Sequence, residues 1–303
     1  MAIESMAGLA GTGLTGTGLA GWSGTAARTE SASAADYDYL RQLVMEHSRN
    51  VLDASRDYLF ETRLARLLRA RGLTNIEELV QLLRLRRDSQ LEHAVAEAMT
   101  INETSFFRDN RPFELLRTEL LPKLMEARTR TRRLRFWSAA CSTGQEAYSV
   151  AMLIREHFPT LAGWDVMIEG TDLNTEVVAR AQSGRYPRIE INRGLPARHI
   201  VKYFDHAGED WTVKPELQRM CRFRQANLCA PALPFTESFD VVMLRNVMLY
   251  FNQETRKRLL AQVHKLLPQD GILFLGSSEQ PADLSLWNST LAGGTSYYRP
   301  RQS

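Results

Sequence analysis

Trp137-Ser138-Ala139-Ala140-Cys141-Ser142-Thr143-Gly144-Gln145-Glu146 is the stretch on which the fold turns. It continues an apolar strand signal (Leu134, Phe136), passes through seven small residues and enters a helical pattern. A backbone this thin lets a ligand lie against the chain and meet free N–H groups at a helix start. Downstream, a second apolar run (Val166, Met167, Ile168) ends in Asp172. A carboxylate at such a strand tip suits the two hydroxyls of a ribose. The pair predicts a nucleoside ligand, and the absence of GxGxxG spacing argues against a dinucleotide.

Outward from that turn, strand signals near 134–140, 165–171, 221–226, 239–244 and 271–276 alternate with helical ones near 146–157, 174–182 and 254–267. Such alternation predicts an α/β fold with a mostly parallel, Rossmann-like sheet. The segment from Arg185 to Arg222 is too long for a simple crossover, and its Gly, Pro and short alternating pieces predict a small β insertion on the sheet's edge. Upstream, residues 111–127 read as a helix broken or kinked before Pro122.

From Tyr37 to Met99 the periodicity is helical throughout. Phe60, Leu64, Leu67 and Leu68 share a face up to Gly72, and Ile76, Leu79, Val80 and Leu83 form a second. Asp88 or Ser89 caps a third helix through Leu91, Val95 and Met99. The expected organisation is a disordered Gly/Ala/Ser/Thr-rich tail (1–34), an all-α domain (35–110) and an α/β domain (111–303).

A chain of 303 residues with a net charge of +3 has room for two domains and carries no charge signature of nucleic-acid binding. Its three cysteines and six histidines lack metal-ligand spacing, so no metal is expected and the thiols read as reduced. No run spans a bilayer and the start lacks signal-peptide character, which predicts a cytoplasmic protein without membrane insertion.

Four further pieces are expected to gather where the strands end: Asn102-Glu103-Thr104-Ser105-Phe106-Phe107-Arg108, Glu146, Asn227-Leu228 and Arg245-Asn246-Val247-Met248-Leu249-Tyr250. Together with Thr171-Asp172 they resemble, in order, the motifs of the chemotaxis-receptor glutamate methyltransferases, the CheR family, across roughly residues 37–299. The resemblance implies S-adenosylmethionine as methyl donor, a receptor glutamate as acceptor, and S-adenosylhomocysteine and a glutamyl methyl ester as products. It also implies cofactor contacts from Asn102, Thr104, Arg108, Glu146, Asp172, Asn227, Leu228, Arg245 and Asn246. Ala147 stands where many relatives have Pro, a change of little consequence for a helix start. The segment Asp205–Trp211 is shorter than the glycine-containing loop of relatives that dock on a receptor's C-terminal peptide, which argues against such a tether here.

In that chemistry a carboxylate oxygen attacks a sulfonium methyl in line. A glutamate with pKa ~4.3 is already ionised at neutral pH, so no general base is required, and the absence of a Ser-His-Asp pattern is expected. The chain must supply alignment and exclusion of water. Asp172 is assigned to the ribose rather than to a helix cap, and Glu146 to the cofactor's ammonium group. Arg108 is placed near the reacting carboxylate, where a guanidinium holds a fixed plane. Tyr250 either orients the acceptor or only packs; Asn227 either meets the adenine rim or ends a strand. Phe106 and Phe107 are read as hydrophobic wall. Arg63, Arg66, Arg69, Arg128, Arg130, Arg132 and Arg133 form basic faces able to steer a Glu-rich helical receptor region toward the helical domain. Two other readings keep the pocket: a methyltransferase acting on RNA or a small molecule, and a non-catalytic cofactor-sensing module.

Overall fold

The computed structural model describes residues 32–281 and 283–301. The glycine-rich tail therefore lies outside the described residues up to 31, while Ser33 and Ala34, assigned to it from sequence, begin the first helix. Ser33 Oγ accepts the Asp36 N–H and the Asp36 carboxylate accepts the Ser33 N–H, a reciprocal cap that starts α1 (Ala34–Ser48). Three more helices follow: α2 (Tyr58–Arg71), α3 (Ile76–Arg86) capped by Asn75, and α4 (Ser89–Ala98) capped by Asp88. Leu40, Val44, Leu64, Leu79, Leu91 and Val95 are fully buried between them, each contributing roughly 1.5–3 kcal/mol of transfer free energy.

The helix before the sheet is interrupted as expected, by a specific device. Between α5 (Arg111–Leu115) and α6 (Leu121–Ala127) runs a π-helical turn, Leu116–Leu120. It precedes Pro122, which has no N–H to continue an α-helical ladder.

The remaining elements are β1 (Arg133–Ala139), α7 (Gln145–His157), β2 (Asp165–Asp172), α8 (Thr175–Ser183), β3 (Arg185–Pro187), α9 (Arg188–Ile191) and α10 (Ala197–Tyr203). They continue with β4 (Phe204–Ala207), β5 (Asp210–Val213), α11 (Pro215–Gln218), β6 (Cys221–Gln225), β7 (Val241–Leu244), α12 (Gln253–Lys265), β8 (Ile272–Leu275), β9 (Trp287–Ala292) and β10 (Thr295–Pro300). The main sheet has the order β6-β2-β1-β7-β8-β10-β9. Its first five strands are parallel, and β10 runs antiparallel to β8 and β9. The β9–β10 hairpin is not legible in the sequence. Four consecutive residues of β9 are exposed, so no apolar run marks it, and its one local signal is the turn Gly293-Gly294.

The insertion forms its own three-stranded sheet, β3-β5-β4, with three short helices. It ends by Met220, because Cys221 and Arg222 already pair with Ile168 and Glu169 in the main sheet. Glu156 of α7 accepts from Lys202 Nζ and Tyr203 Oη, both at 2.6 Å, and so fastens the insertion to the α/β core.

Candidate functional site

Strand order reverses between β1 and β7, and a crevice opens outside the carboxyl ends of the strands at that point. A cavity there is lined by Asn102, Thr104, Arg108, Glu146, Asp172, Asn227, Leu228, Arg245, Asn246 and Tyr250. The fold thus brings together every site residue singled out from sequence. Counting the open space at its mouth, the cavity spans about 920 Å³.

The small-residue turn forms one wall. Ala140 and Ser142 adopt positive φ angles of 60° and 49°, unfavourable for residues with a Cβ and typical of functional turns. Gly144, at φ 94°, begins α7; a Cβ there would lie 2.9 Å from that of Ala181. The turn aims the Ser142 N–H at Asp172, whose Oδ2 accepts it at 2.8 Å while Oδ1 accepts the Asn174 N–H at 3.0 Å. Asp172 is therefore not the cap of α8; Asn174 is, accepting from Glu176 and Val177. Burial pushes the Asp172 carboxyl up, against the lowering pull of those backbone N–H groups. Each carboxylate oxygen keeps a further acceptor site.

Glu146 occupies the first turn of α7. Its Oε1 accepts from Ser138 Oγ at 2.7 Å and its Oε2 from Arg245 Nη1 at 2.8 Å. Arg245, with a side chain 1% exposed, also donates to the Arg108 carbonyl and to Asp109 Oδ2, at 2.8 and 2.7 Å. Burial raises the Glu146 pKa, and Arg245 is the largest influence opposing that rise. The ion pair was not visible in sequence.

Arg108 is the contrasting cation. Its Nη1 donates to the Glu103 carbonyl at 2.9 Å, and no carboxylate among the described residues pairs with it. The loop presenting it is tied down twice: Ser142 Oγ donates to the Asn102 carbonyl at 2.7 Å, and the Phe107 N–H donates to Ser149 Oγ at 2.9 Å. Phe106 and Phe107 do not line the cavity, contrary to the hydrophobic-wall reading. Phe106 is buried edge-on against Tyr186 and Phe204, and Phe107 packs on Phe113 and His199, so both anchor the loop from beneath. Tyr250 is half-buried; desolvation pushes its phenol up while Arg108 draws it down.

The amide of Asn227 serves the turn and the domain contact. Its Oδ1 accepts the Cys229 N–H, and its Nδ2 donates to the His47 carbonyl, both at 2.8 Å. The helical domain also brings Ser48 and Asn50 to the cavity wall, and the Val51 N–H donates to the Tyr250 carbonyl at 2.9 Å. These contributions, with Ser138 and Asp109, were missed in sequence. Polar residues at a helix end carry no sign of what they meet across a domain boundary.

Comparison with known proteins agrees with this architecture along its length. The profile described as "CheR methyltransferase, SAM binding domain" matches residues 102–294, and "CheR methyltransferase, all-alpha domain" matches 35–100. The chain belongs to the CheR methyltransferase family. Chemotaxis protein methyltransferase 1 of Pseudomonas aeruginosa is 39% identical over 253 residues, spanning 82% of this chain and 91% of that protein. Chemotaxis protein methyltransferase Cher2 of Pseudomonas putida is 35% identical over the same length and shares. The Escherichia coli chemotaxis protein methyltransferase is 36% identical over 278 residues, 89% of this chain and 93% of its own.

S-adenosylmethionine is the methyl donor of this CheR protein, and the cavity fits it: two largely buried acids, a guanidinium without a carboxylate partner among the described residues and an apolar wall at Leu228. Most of the basic faces read from sequence have internal partners instead. Arg63 donates to the carbonyls of Met99 and Thr100, at 2.9 and 3.3 Å. Arg66 pairs with Glu176 at 2.7 Å. Arg128 grips Asp240 and Asp270, each contact at 2.8 Å, and Arg133 pairs with Glu237. The stretch around Arg133 opens β1 while the cavity lies at its far end, about 20 Å away at ~3.3 Å per residue. Among the described residues no helix is long and apolar enough to cross a membrane, and no group of His, Cys, Asp and Glu could hold a metal ion.

Proposed function

We propose that this CheR protein is a protein-glutamate O-methyltransferase that esterifies glutamate side chains in the helical methylation region of chemoreceptors. The observation carrying this reading is the guanidinium of Arg108, free of any described carboxylate, beside Tyr250 in the same cavity as Asp172 and Glu146. S-adenosylmethionine supplies an electrophilic methyl on a sulfonium. The residues bind and align. Asp172, already oriented by two backbone N–H groups, has lone pairs left for ribose hydroxyls. Glu146 and Arg245 together receive the zwitterionic amino acid end, anion toward ammonium and cation toward carboxylate. Leu228 supplies apolar wall for the base.

Arg108 holds a carboxylate in plane, and Tyr250, a phenol whose ordinary pKa of about 10 already keeps it protonated at neutral pH, donates a hydrogen bond to orient the acceptor. No side chain is asked to remove a proton, since the nucleophile is an anion at neutral pH. Ser48, Asn50, Asn102, Glu103 and Thr104 contribute wall that screens that anion from water. The RNA alternative loses its motivation, because Arg128 and Arg133 are engaged in ion pairs at the opposite end of the strands from the cavity.

The deciding experiment incubates the protein with methyl-labelled S-adenosylmethionine and cytoplasmic fragments of chemoreceptors. Alkali-labile label on glutamate is the expected result. Label on RNA or on a small metabolite instead, or stable label on the receptor, would overturn the assignment.

A further inference from the structure

Glu279 lies beyond β8, on a segment that none of the sequence motifs covers, and its carboxylate reaches back to the loop after β7. Oε2 accepts two backbone N–H groups, those of Asn246 and Gly276, each at 2.7 Å. Oε1 accepts the Leu249 N–H at 3.2 Å. One side chain thus ties the end of β8 to both halves of the segment carrying Arg245, Asn246 and Tyr250. The fit is close: a Cβ on Gly276 would lie 2.5 Å from Glu279 Oε2 and 2.9 Å from the Asn246 nitrogen. Asn246 itself sits at φ 59°, a conformation that persists for a non-glycine residue where the surroundings impose it. The far end of the segment is held from the helical domain, where Asn50 bridges to Phe251 and the Val51 N–H donates to the Tyr250 carbonyl.

We propose that Glu279 is a positioning residue for methyl transfer, its carboxylate setting the backbone from which Arg245, Asn246 and Tyr250 face the cavity. It is not among the residues that line the cavity. The inference rests on the reading above, in which those three residues serve the reaction. In-line attack is sensitive to alignment, and a shift of about 1 Å in a positioned group costs on the order of 100-fold. A carboxylate suits the task because it is acceptor-only and three donors converge on it.

Glu279→Gln tests this in the full chain. The amide preserves shape but turns one oxygen into a donor, so in either flip at least one backbone N–H faces an N–H. Three quantities are compared with wild type: kcat and KM for transfer to a receptor fragment, the calorimetric affinity for S-adenosylhomocysteine, and amide hydrogen exchange at Asn246, Leu249 and Gly276. The expected outcome is faster exchange at those amides, a kcat about 10- to 100-fold lower and a weakened affinity for S-adenosylhomocysteine, with the melting temperature changed far less. Glu279→Asp, which keeps both acceptors on a shorter arm, is expected to fall between. Deprotected amides with kcat within twofold of wild type overturn the proposal, as does a fall in kcat that only parallels a large drop in melting temperature, which marks a structural anchor only. A wild-type protein that methylates no receptor fragment sinks the underlying reading and this proposal with it. An active wild type with an equally active Glu279→Gln sinks this proposal alone.

Discussion

Arg245→Met removes the cation at the centre of the site while leaving a side chain of comparable length. Arg245 is 1% exposed and its partner Glu146 12% exposed. Taking one member from a buried ion pair costs about 3–5 kcal/mol, because the survivor is left charged and unpaired. Asp109, 41% exposed, adds little, since water screens it. The deficit should also depend on pH. Burial already raises the Glu146 carboxyl against the pull of Arg245, so without Arg245 it rises further. A carboxyl whose folded pKa exceeds its unfolded value penalises the folded state once ionised. That penalty is present above the folded pKa and relieved as pH falls through it, at about 1.4 kcal/mol for each tenfold difference in proton affinity between the folded and unfolded chains. Urea unfolding of wild type and variant should therefore show a larger gap at about pH 8 than at about pH 5. Adding Glu146→Gln should recover part of the loss, because the two residues touch and their effects are not additive. A gap below about 1 kcal/mol, one independent of pH, or strict additivity in the double variant would refute the reasoning.

Asp172→Ala should abolish calorimetric binding of S-adenosylmethionine; wild-type affinity in that variant would refute the ribose assignment. Arg108→Ala should lose methyl transfer by orders of magnitude with little change in stability, because no described carboxylate is stranded by its removal; near-normal turnover would show that the wrong cation was chosen. His199 is buried against Phe107 with both ring nitrogens unpartnered, and desolvation holds its pKa below 6.5, against the raising pull of Glu156. A depressed histidine contributes stability that is lost as pH falls through that range, because the unfolded chain takes the proton first. His199→Phe should flatten the part of the acid limb of stability near pH 6.5; an unchanged limb would remove His199 from the account.

Legibility in the sequence followed the range of the interactions involved. The turn at 138–144, the helical faces around Leu64 and Leu79 and the caps at Asp88 and Asn174 are local, and each was either read or signalled directly by neighbouring residues. Asp172 at the end of β2 was legible for the same reason. The β9–β10 hairpin was not, because four consecutive exposed residues in β9 break the alternation that marks a half-buried strand. The partners of the basic residues were not legible either. A run of arginines is visible in one dimension, but Asp240 and Asp270, which engage Arg128, lie more than a hundred residues away.

Periodicity and composition were enough to predict an all-α unit followed by a parallel α/β sheet, and a small-residue turn with an acid at the adjacent strand tip was enough to point to the cavity those residues line. Both are short-range properties of the backbone. The partner of each charge was a different matter. Arg245 and Glu146 are 99 positions apart and meet because β1 and β7 are neighbours in the sheet. Arg108 is left without a described carboxylate by the same packing, and Glu279 reaches Asn246 because β8 runs beside β7. Ion pairing at a distance of a few ångströms is set by strand order and domain contact, which no window of sequence contains.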